Sequence, residues 1–578
     1  MYGNYRFFSQ TTMNNDIMVR IFFVFSGCIT LSVVIFVLHL QLTADNDLVR
    51  TYTANKVSLS NQRQARCNFV KSFVTEEQAI FDEQITQAVA LPANSQRRHV
   101  LFIIVDGMRP QLGAYYDPEH PDYFSKIKIQ TPNLDKFASQ SMVFKHAYVQ
   151  YSLCGPSRTS LLTSRRPDVT HVYYNHAFWR KVGGNFTTLP QHFKKNGYLT
   201  VGLGKVFHVK DLSNYQDIPS WTEPYYHPPH TDRQLHSKDF NESWGIVSEL
   251  DEEKFTLMDT STTKMAKTIL KNISKEARAE KRYFFMAVGY NKPHMKLICP
   301  EKYYNLYPLE DDEHFLVNES WQTPVFNPNK NMEGARIINN ETVLSSDVLR
   351  RLRRAYFACI SYVDDLVGEL LQQLVDCGLD GNTIVSFVAD HGFHLGENHH
   401  WGKNAVWEIA NRVPMIIRIP GITDSGMTSS SIVEALDLFP TVVEAAGLDP
   451  VPLCPADSSR VELCTQGKSL MPVIRKPDCD IKGVAFSQLM QSNHVLYTIR
   501  TASFRLVDRA SFVDSNKRDD TYKKSVEWPQ NTSYTMLYDH TKDILEQVNV
   551  AEDPNYASIV DELREKLHKF VNTQFNIN

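Results

Sequence analysis

An excess of charge of one sign is missing from this 578-residue chain: 61 Lys and Arg against 65 Asp and Glu leave a formal net charge of −4. That balance provides no broad basic surface, so nucleic acid is not an expected partner, and any polyanion has to be met by a local cluster of Lys, Arg and His. Internal repeats and low-complexity tracts are also missing, which removes solenoid and array architectures. Cysteine is scarce at nine residues, so each must be read singly. The length exceeds what one hydrophobic core usually organises, and a large domain with a smaller one is expected.

Only one long apolar run is present. Ile21 to Leu38 is uncharged, with Arg6 and Arg20 before it and Asp45 and Asp47 after it, the polarity of a segment that enters the secretory pathway. It reads as a signal peptide or, because it is long and follows a polar lead, as a single-pass membrane anchor with the remainder in the lumen. Sequons at Asn185, Asn241, Asn272, Asn318, Asn340 and Asn531 fit a luminal chain. Cys454 and Cys464, across a polar loop in a Pro-rich stretch, are the pair expected to bridge in an oxidising compartment.

What remains divides as 1–45, the hydrophobic segment; 46–98, a stalk or propeptide-like segment; 99–450, a large α/β domain; and 451–578, a junction followed by a smaller C-terminal domain. In the large domain Val100 to Val105 is a continuous apolar run ending in Asp106, and Thr383 to Ala389 is a further strand, again capped by an acid, in Asp390-His391-Gly392. Such runs predict central strands buried on both faces, with the acids emerging at their C-terminal edge. Tyr198–Leu203 delivers Lys205 and His208 in the same way, and Tyr283–Gly289 delivers Asn291-Lys292-Pro293-His294. Leu352, Tyr356, Cys359, Val363, Leu366 and Leu370 have the spacing of an amphipathic helix. Val413–Ile419 predicts a strand and Ile432–Ala446 a helix, completing an α/β fold with a mostly parallel sheet flanked by helices. Val484–Gln488, Leu496–Arg500 and Phe504–Asp508 predict an antiparallel sheet, and Tyr556–Phe570 a terminal helix. Arg350–Arg354 reads as a solvated helix face. Trp179 and Tyr173 either stack on a sugar or pack, and His399, His400 and Trp401 are candidates for a substrate mouth.

Cys154-Gly155-Pro156-Ser157-Arg158, continuing into Thr159-Ser160-Leu161-Leu162-Thr163, places a small nucleophilic side chain at the start of a helix, where unpaired backbone N–H groups attract anions. It resembles the C-x-P-S-R signature of the sulfatases, in which the cysteine is oxidised during synthesis to formylglycine. Ser164-Arg165-Arg166-Pro167-Asp168, Gly184 to Gln191, Gly197-Tyr198 and Gly204 to His208 resemble, in order and spacing, the branch that removes the 2-O-sulfate from terminal L-iduronate in heparan sulfate and dermatan sulfate. The resemblance runs from about Val100 into the C-terminal region and is poor over 209–280.

The resemblance implies an alkaline-phosphatase-like large domain and a set of roles. Asp106, Cys154 as formylglycine, Asp390 and His391 would hold one divalent metal, usually Ca2+. Cys154, Arg158, Lys205, His208, His294 and Lys403 would form the catalytic group: Arg158 steadies the hydrated aldehyde, His208 takes the proton that drives elimination, and His294 or Lys403 serves the leaving oxygen. It also supports the Cys454–Cys464 pairing. The implied partners are a sulfated glycosaminoglycan and the formylglycine-generating enzyme, and the implied compartment is the lysosome or another secretory-pathway lumen. Two departures stand out. Gly107 follows Asp106 where the family usually has a second Asp, and Ser164 occupies a position where many members have Gly. The first leaves open a sulfatase of another specificity, or an impaired protein that binds sulfated glycans; a phosphoesterase on a related fold is a further alternative.

Overall fold

Six consecutive apolar residues, Val100 to Val105, are all fully buried, because a strand with no polar alternation needs cover on both faces. They belong to His99–Val105, the centre of the larger sheet. The computed structural model describes residues 97–116, 129–208, 217–229, 244–308, 346–491, 494–513, 525–529 and 534–575. The segment Ile21 to Leu38, the segment 46–98 except its last two residues, and the sequons at Asn241, Asn318, Asn340 and Asn531 lie outside the described residues. Among the described residues no helix is long and apolar enough to cross a membrane.

His99–Val105 pairs in parallel with Phe284–Tyr290 on one side and Thr383–Ala389 on the other, and Leu199–Gly204 pairs in parallel with Phe284–Tyr290. Beyond Thr383–Ala389 lies the one reversed stretch, Arg412–Val413 and Met415–Arg418, antiparallel to both its neighbours. Pro414, which has no N–H to give, divides that stretch. Met142–Tyr148 and then Met427–Glu434, parallel to each other, complete the sheet. The expected mostly parallel sheet is present, with this single reversal.

Helices flank the sheet in two groups. Met258–Arg278 packs with Ser346–Asp376, which also covers Pro132–Ala138; Cys154–Thr163 packs with Leu189–Lys195 and Leu438–Ala445. Cys359 is fully buried on the long helix and packs there, as its position predicts. The expected helix over Ile432–Ala446 starts late, its first three residues ending a strand: β-branched Ile432 and Val433 pair with His146 and Ala147. A reciprocal Glu434–Asp437 cap then starts the helical part. Nor is Arg350–Arg354 a solvated face. Arg353 is buried and donates to the Leu395 carbonyl at 2.8 Å, and Arg354 donates to the Tyr304 carbonyl at 3.1 Å while lying over that ring.

The smaller sheet is antiparallel: Ala485–Gln491, His494–Arg500, Phe504–Val513 and Ser525–Glu527, with Met536–Asp539 also on Phe504–Val513. Ala557–Gln574 covers it with Val560, Leu563, Leu567 and Val571, one apolar face at helical spacing. Cys454 and Cys464 form a disulfide in the junction.

Candidate active site

In-register parallel pairing sets Val105 beside Ala389, and the Asp390 N–H donates to the Val105 carbonyl at 3.0 Å. Asp106 and Asp390 therefore leave the sheet side by side, both fully buried. On the other flank the Lys205 N–H donates to the Gly289 carbonyl at 2.8 Å. That crossing needs glycine: a Cβ on Gly289 would fall 2.1 Å from the Lys205 carbonyl carbon. Lys205 is thereby directed at Asp106, with its Nζ 2.6 Å from Oδ2.

The nucleophile candidate comes from Cys154–Thr163, a helix whose ten residues are all buried. Its start has no side-chain cap of its own; the Gly155 N–H donates instead to Asn175 Oδ1 at 2.9 Å. One turn on, Arg158 reaches between the two acids, 2.7 Å from Asp390 Oδ2 and 3.1 Å from Asp106 Oδ2. It also donates to the Lys205 and Val206 carbonyls, and Ser157 Oγ to the Asp390 carbonyl. Ser164 closes the helix at φ 51°, the left-handed region that usually favours glycine. Its hydroxyl donates to the Leu436 carbonyl at 2.6 Å and meets Thr465 Oγ1 at 2.7 Å, so serine is accommodated by bonds rather than by space.

Around Cys154 Sγ stand Lys403 Nζ at 2.7 Å, His391 Nε2 at 3.3 Å, Asp106 Oδ1 at 3.6 Å and Lys205 Nζ at 4.0 Å. Burial and the Asp106 carboxylate push the thiol pKa up, yet Lys205 and Lys403 outweigh them and it is lowered. Asp106 is held well below the usual carboxylate range: burial opposes this, and Lys205, His294, Lys403 and Arg158 prevail. Lys403 is raised although burial lowers it, because Cys154, Asp106 and Asp390 favour its charge. Burial first, then Lys205 and Lys403, push His294 well down and His208 to about 3. Both imidazoles are thus neutral bases beside two ammonium groups. His294 Nδ1 donates to the Met295 carbonyl at 2.6 Å, leaving Nε2 as its basic atom. His208 Nδ1 has no hydrogen-bond partner among the described residues.

The acids divide their oxygens. Each Oδ2 is taken by Arg158, and that of Asp106 by Lys205 as well. The Oδ1 atoms of Asp106 and Asp390 lie 3.8 and 3.5 Å from His391 Nε2. His391 Nδ1 donates to the Gly392 carbonyl at 2.8 Å, which turns Nε2 towards the acids. One ligand atom each from Asp106, Cys154, Asp390 and His391 lies within 4.8 Å of the others. This donor set, two carboxylates, an imidazole and a fourth atom at Cys154, fits a divalent cation. Gly107, at φ 73°, contributes its N–H to Asp390 Oδ1 at 2.9 Å.

Lys403 is positioned by a short hairpin, His394–Leu395 against Trp401–Gly402, directly after the second acid. Within it Glu397 accepts Arg109 Nη1 at 2.8 Å and the Leu395 N–H at 2.6 Å, while His400 Nε2 donates to the Lys403 carbonyl at 3.0 Å. His400 is therefore a buried brace, Trp401 is half-buried, and the His399 side chain lies outside the described residues. Asn175, Arg109 and Glu397 are the contributors that sequence reasoning misses. Their contacts span 20 and 288 positions, and no local pattern encodes them.

Residues 98–448 match the family described as Sulfatase. The chain belongs to the sulfatase family. Residues 396–573 match the C-terminal part of N-sulphoglucosamine sulphohydrolase. Among sulfatases, iduronate 2-sulfatase of Homo sapiens is 36% identical over 431 residues, 66% of this chain and 75% of that one. Choline-sulfatase of Rhizobium meliloti is 30% identical over 394 residues, 65% of this chain and 71% of that one. A structure in complex with its substrate D-glucosamine-2-N,6-O-disulfate superimposes with a TM-score of 0.57 at 21% identity, covering 84% of this chain and 99% of that one; this last likeness speaks for the fold. As a sulfatase, the chain is a sulfuric ester hydrolase, of a family that generally uses formylglycine and a divalent metal.

Proposed function

We propose that this sulfatase removes the 2-O-sulfate from terminal L-iduronate in heparan sulfate and dermatan sulfate, in the lysosome or another secretory-pathway lumen. The 36% identity to iduronate 2-sulfatase carries the choice of substrate. What supports the chemistry is the closure of Lys205 and Lys403 on Cys154 Sγ, an atom set suited to an anion.

Once the formylglycine-generating enzyme has acted, Cys154 supplies a hydrated aldehyde, with one hydroxyl to attack sulfur and a second whose deprotonation releases sulfate. Asp106, Asp390, His391 and the group at Cys154 would hold a divalent cation, proposed as Ca2+, which would supply Lewis-acid stabilisation of negative charge. The chain's own residues do the rest. Arg158 holds both acids in alignment. Lys205 and Lys403 hold the sulfate's negative charge without reorganising. Lys403, which keeps its proton, donates to the leaving oxygen; His208, held neutral, takes the proton in the elimination step. His294, equally neutral, presents Nε2 to the same anion.

The test sets a fluorogenic 2-sulfated iduronate against a simple aryl sulfate. Preference for the iduronide is expected, and turnover of the aryl sulfate alone would remove the substrate assignment. A second reading, a sulfated-glycan binder without turnover, is favoured by Gly107, which offers no carboxylate. Mass spectrometry of the Cys154 peptide separates the two: formylglycine is expected, and an unmodified thiol in protein made with the maturation enzyme present would favour the binder.

A further inference from the structure

Tyr173 and Trp179, the aromatics suggested by sequence for sugar contact, are buried and unavailable. Trp179 packs with Val169, Val172 and Phe186, and the Tyr173 hydroxyl donates to Asp168 at 3.0 Å. The loop between them presents two other rings. Tyr174 is 39% exposed and His176 is exposed, and their rings stack at 10° with centroids 5.4 Å apart.

Asn175 lies between these two residues, and it is the side chain that caps the cysteine helix through the Gly155 N–H. Consecutive Cα atoms are about 3.8 Å apart, so both rings are fastened within a few residue lengths of Cys154. Anchors on either side, buried Tyr173 and buried Trp179, hold the loop. Two rings stacked on each other beside a nucleophile site hold one another in place, the outward face of such a pair has the breadth a pyranose covers, and a preorganised aromatic surface binds at little entropic cost. The imidazole N–H adds a donor for a carboxylate or sulfate oxygen.

We propose that Tyr174 and His176 form a glycan subsite that stacks a pyranose ring of the chain beyond the sulfated terminal sugar, and so set a preference for oligosaccharide over monosaccharide substrates. This rests on the glycosaminoglycan reading above, and the experiment keeps the two apart by measuring binding without turnover. In the full-length Cys154→Ala protein, calorimetry compares a heparan-derived tetrasaccharide ending in 2-sulfated iduronate with the methyl glycoside of that sugar. Tyr174→Ala is expected to reduce the ratio of the two affinities about tenfold, His176→Ala to reduce it less, and Tyr174→Trp to preserve it, with melting temperatures unchanged. An unaltered ratio in Tyr174→Ala, equal loss for both ligands, or no tetrasaccharide binding by the parent protein would overturn the subsite. Binding as expected with no iduronide turnover by the matured Cys154 protein would instead overturn the substrate reading and leave the subsite standing.

Discussion

At the scale of single residues, Gly107 is the departure with the clearest consequence. A Cβ there would stand 3.5 Å from His391 Cε1 and 3.8 Å from the Phe393 ring, ordinary contact distances, so a carboxylate has room beside the cation site. The left-handed φ costs a non-glycine residue about 1–2 kcal/mol. Gly107→Asp is therefore expected to bind Ca2+ more tightly, by about tenfold, in a fold that melts slightly earlier. Calorimetric titration of Ca2+ checks this, and equal affinity would mean that another donor already fills the place. His208 supports a second prediction. With its pKa near 3 it remains a base through the acidic range. The acid limb of kcat/KM is expected well below pH 6.5, read from a pH profile on the fluorogenic iduronide; a limb at 6.5 would contradict the environment described for this imidazole.

Individual residues were legible in the sequence where a continuous apolar run stopped at a polar one. Asp106 follows that rule because a buried strand must end where its edge meets the cleft, and Asp390 and Lys205 stand at the ends of strands of the same sheet. Asn175 and Glu397 do not, since an amide or carboxylate that braces a distant backbone leaves no periodic trace.

Among the elements, the hairpin from His394 to Gly402 decides where Lys403 stands. Arg109 and Arg353 hold the Glu397 carboxyl down to about 2 against the opposing effect of burial. Glu397→Gln leaves two buried guanidinium groups short of a counter-charge, a change of the kind that costs about 3–5 kcal/mol. Its kcat is expected to fall by at least tenfold with KM changed less, together with a lower melting temperature. Adding Arg109→Met to Glu397→Gln should recover part of the melting temperature, because the stranded charge is removed; a double variant no better than the single one would deny that the pair braces the hairpin. Two-residue strands are too short for any alternation to announce them, which is why sequence left the hairpin out. The Ile432–Ala446 error is of another kind: an apolar β-branched run before a cap reads equally well as either element, and pairing with Met142–Tyr148 decides it.

Across the whole molecule, the smaller sheet is tied to the larger domain by buried charge. Glu408 accepts Arg500 Nε at 3.1 Å and Arg505 Nη2 at 2.7 Å, and Glu546 accepts Arg505 Nε at 2.6 Å and His540 Nε2 at 2.7 Å. Although Glu408, His540 and Glu546 cluster like metal ligands, guanidinium groups already occupy the acids. Elsewhere several histidines are buried or half-buried and neutral: burial lowers His99 and His192 to about 4, and pushes His146 and His394 well below 6.5. Their folded pKa values lie below the unfolded one, so between pH 6.5 and 4 the unfolded chain binds more protons and stability falls as pH falls. Scanning calorimetry should give a melting temperature several degrees lower at pH 5 than at pH 7; an unchanged value would mean these imidazoles are solvated. Between pH 6.5 and 4, stability is thus expected to fall while kcat/KM holds level.

The complete burial of the helix that begins at Cys154 sets a deadline on biosynthesis. Once that segment has docked, a modifying enzyme cannot reach its sulfur without undoing the core. On the maturation proposed above, the proportion of working molecules would be set by a race between conversion and collapse. On the maturation proposed here, slowing the folding would raise the specific activity of a preparation without altering a single residue of the catalyst.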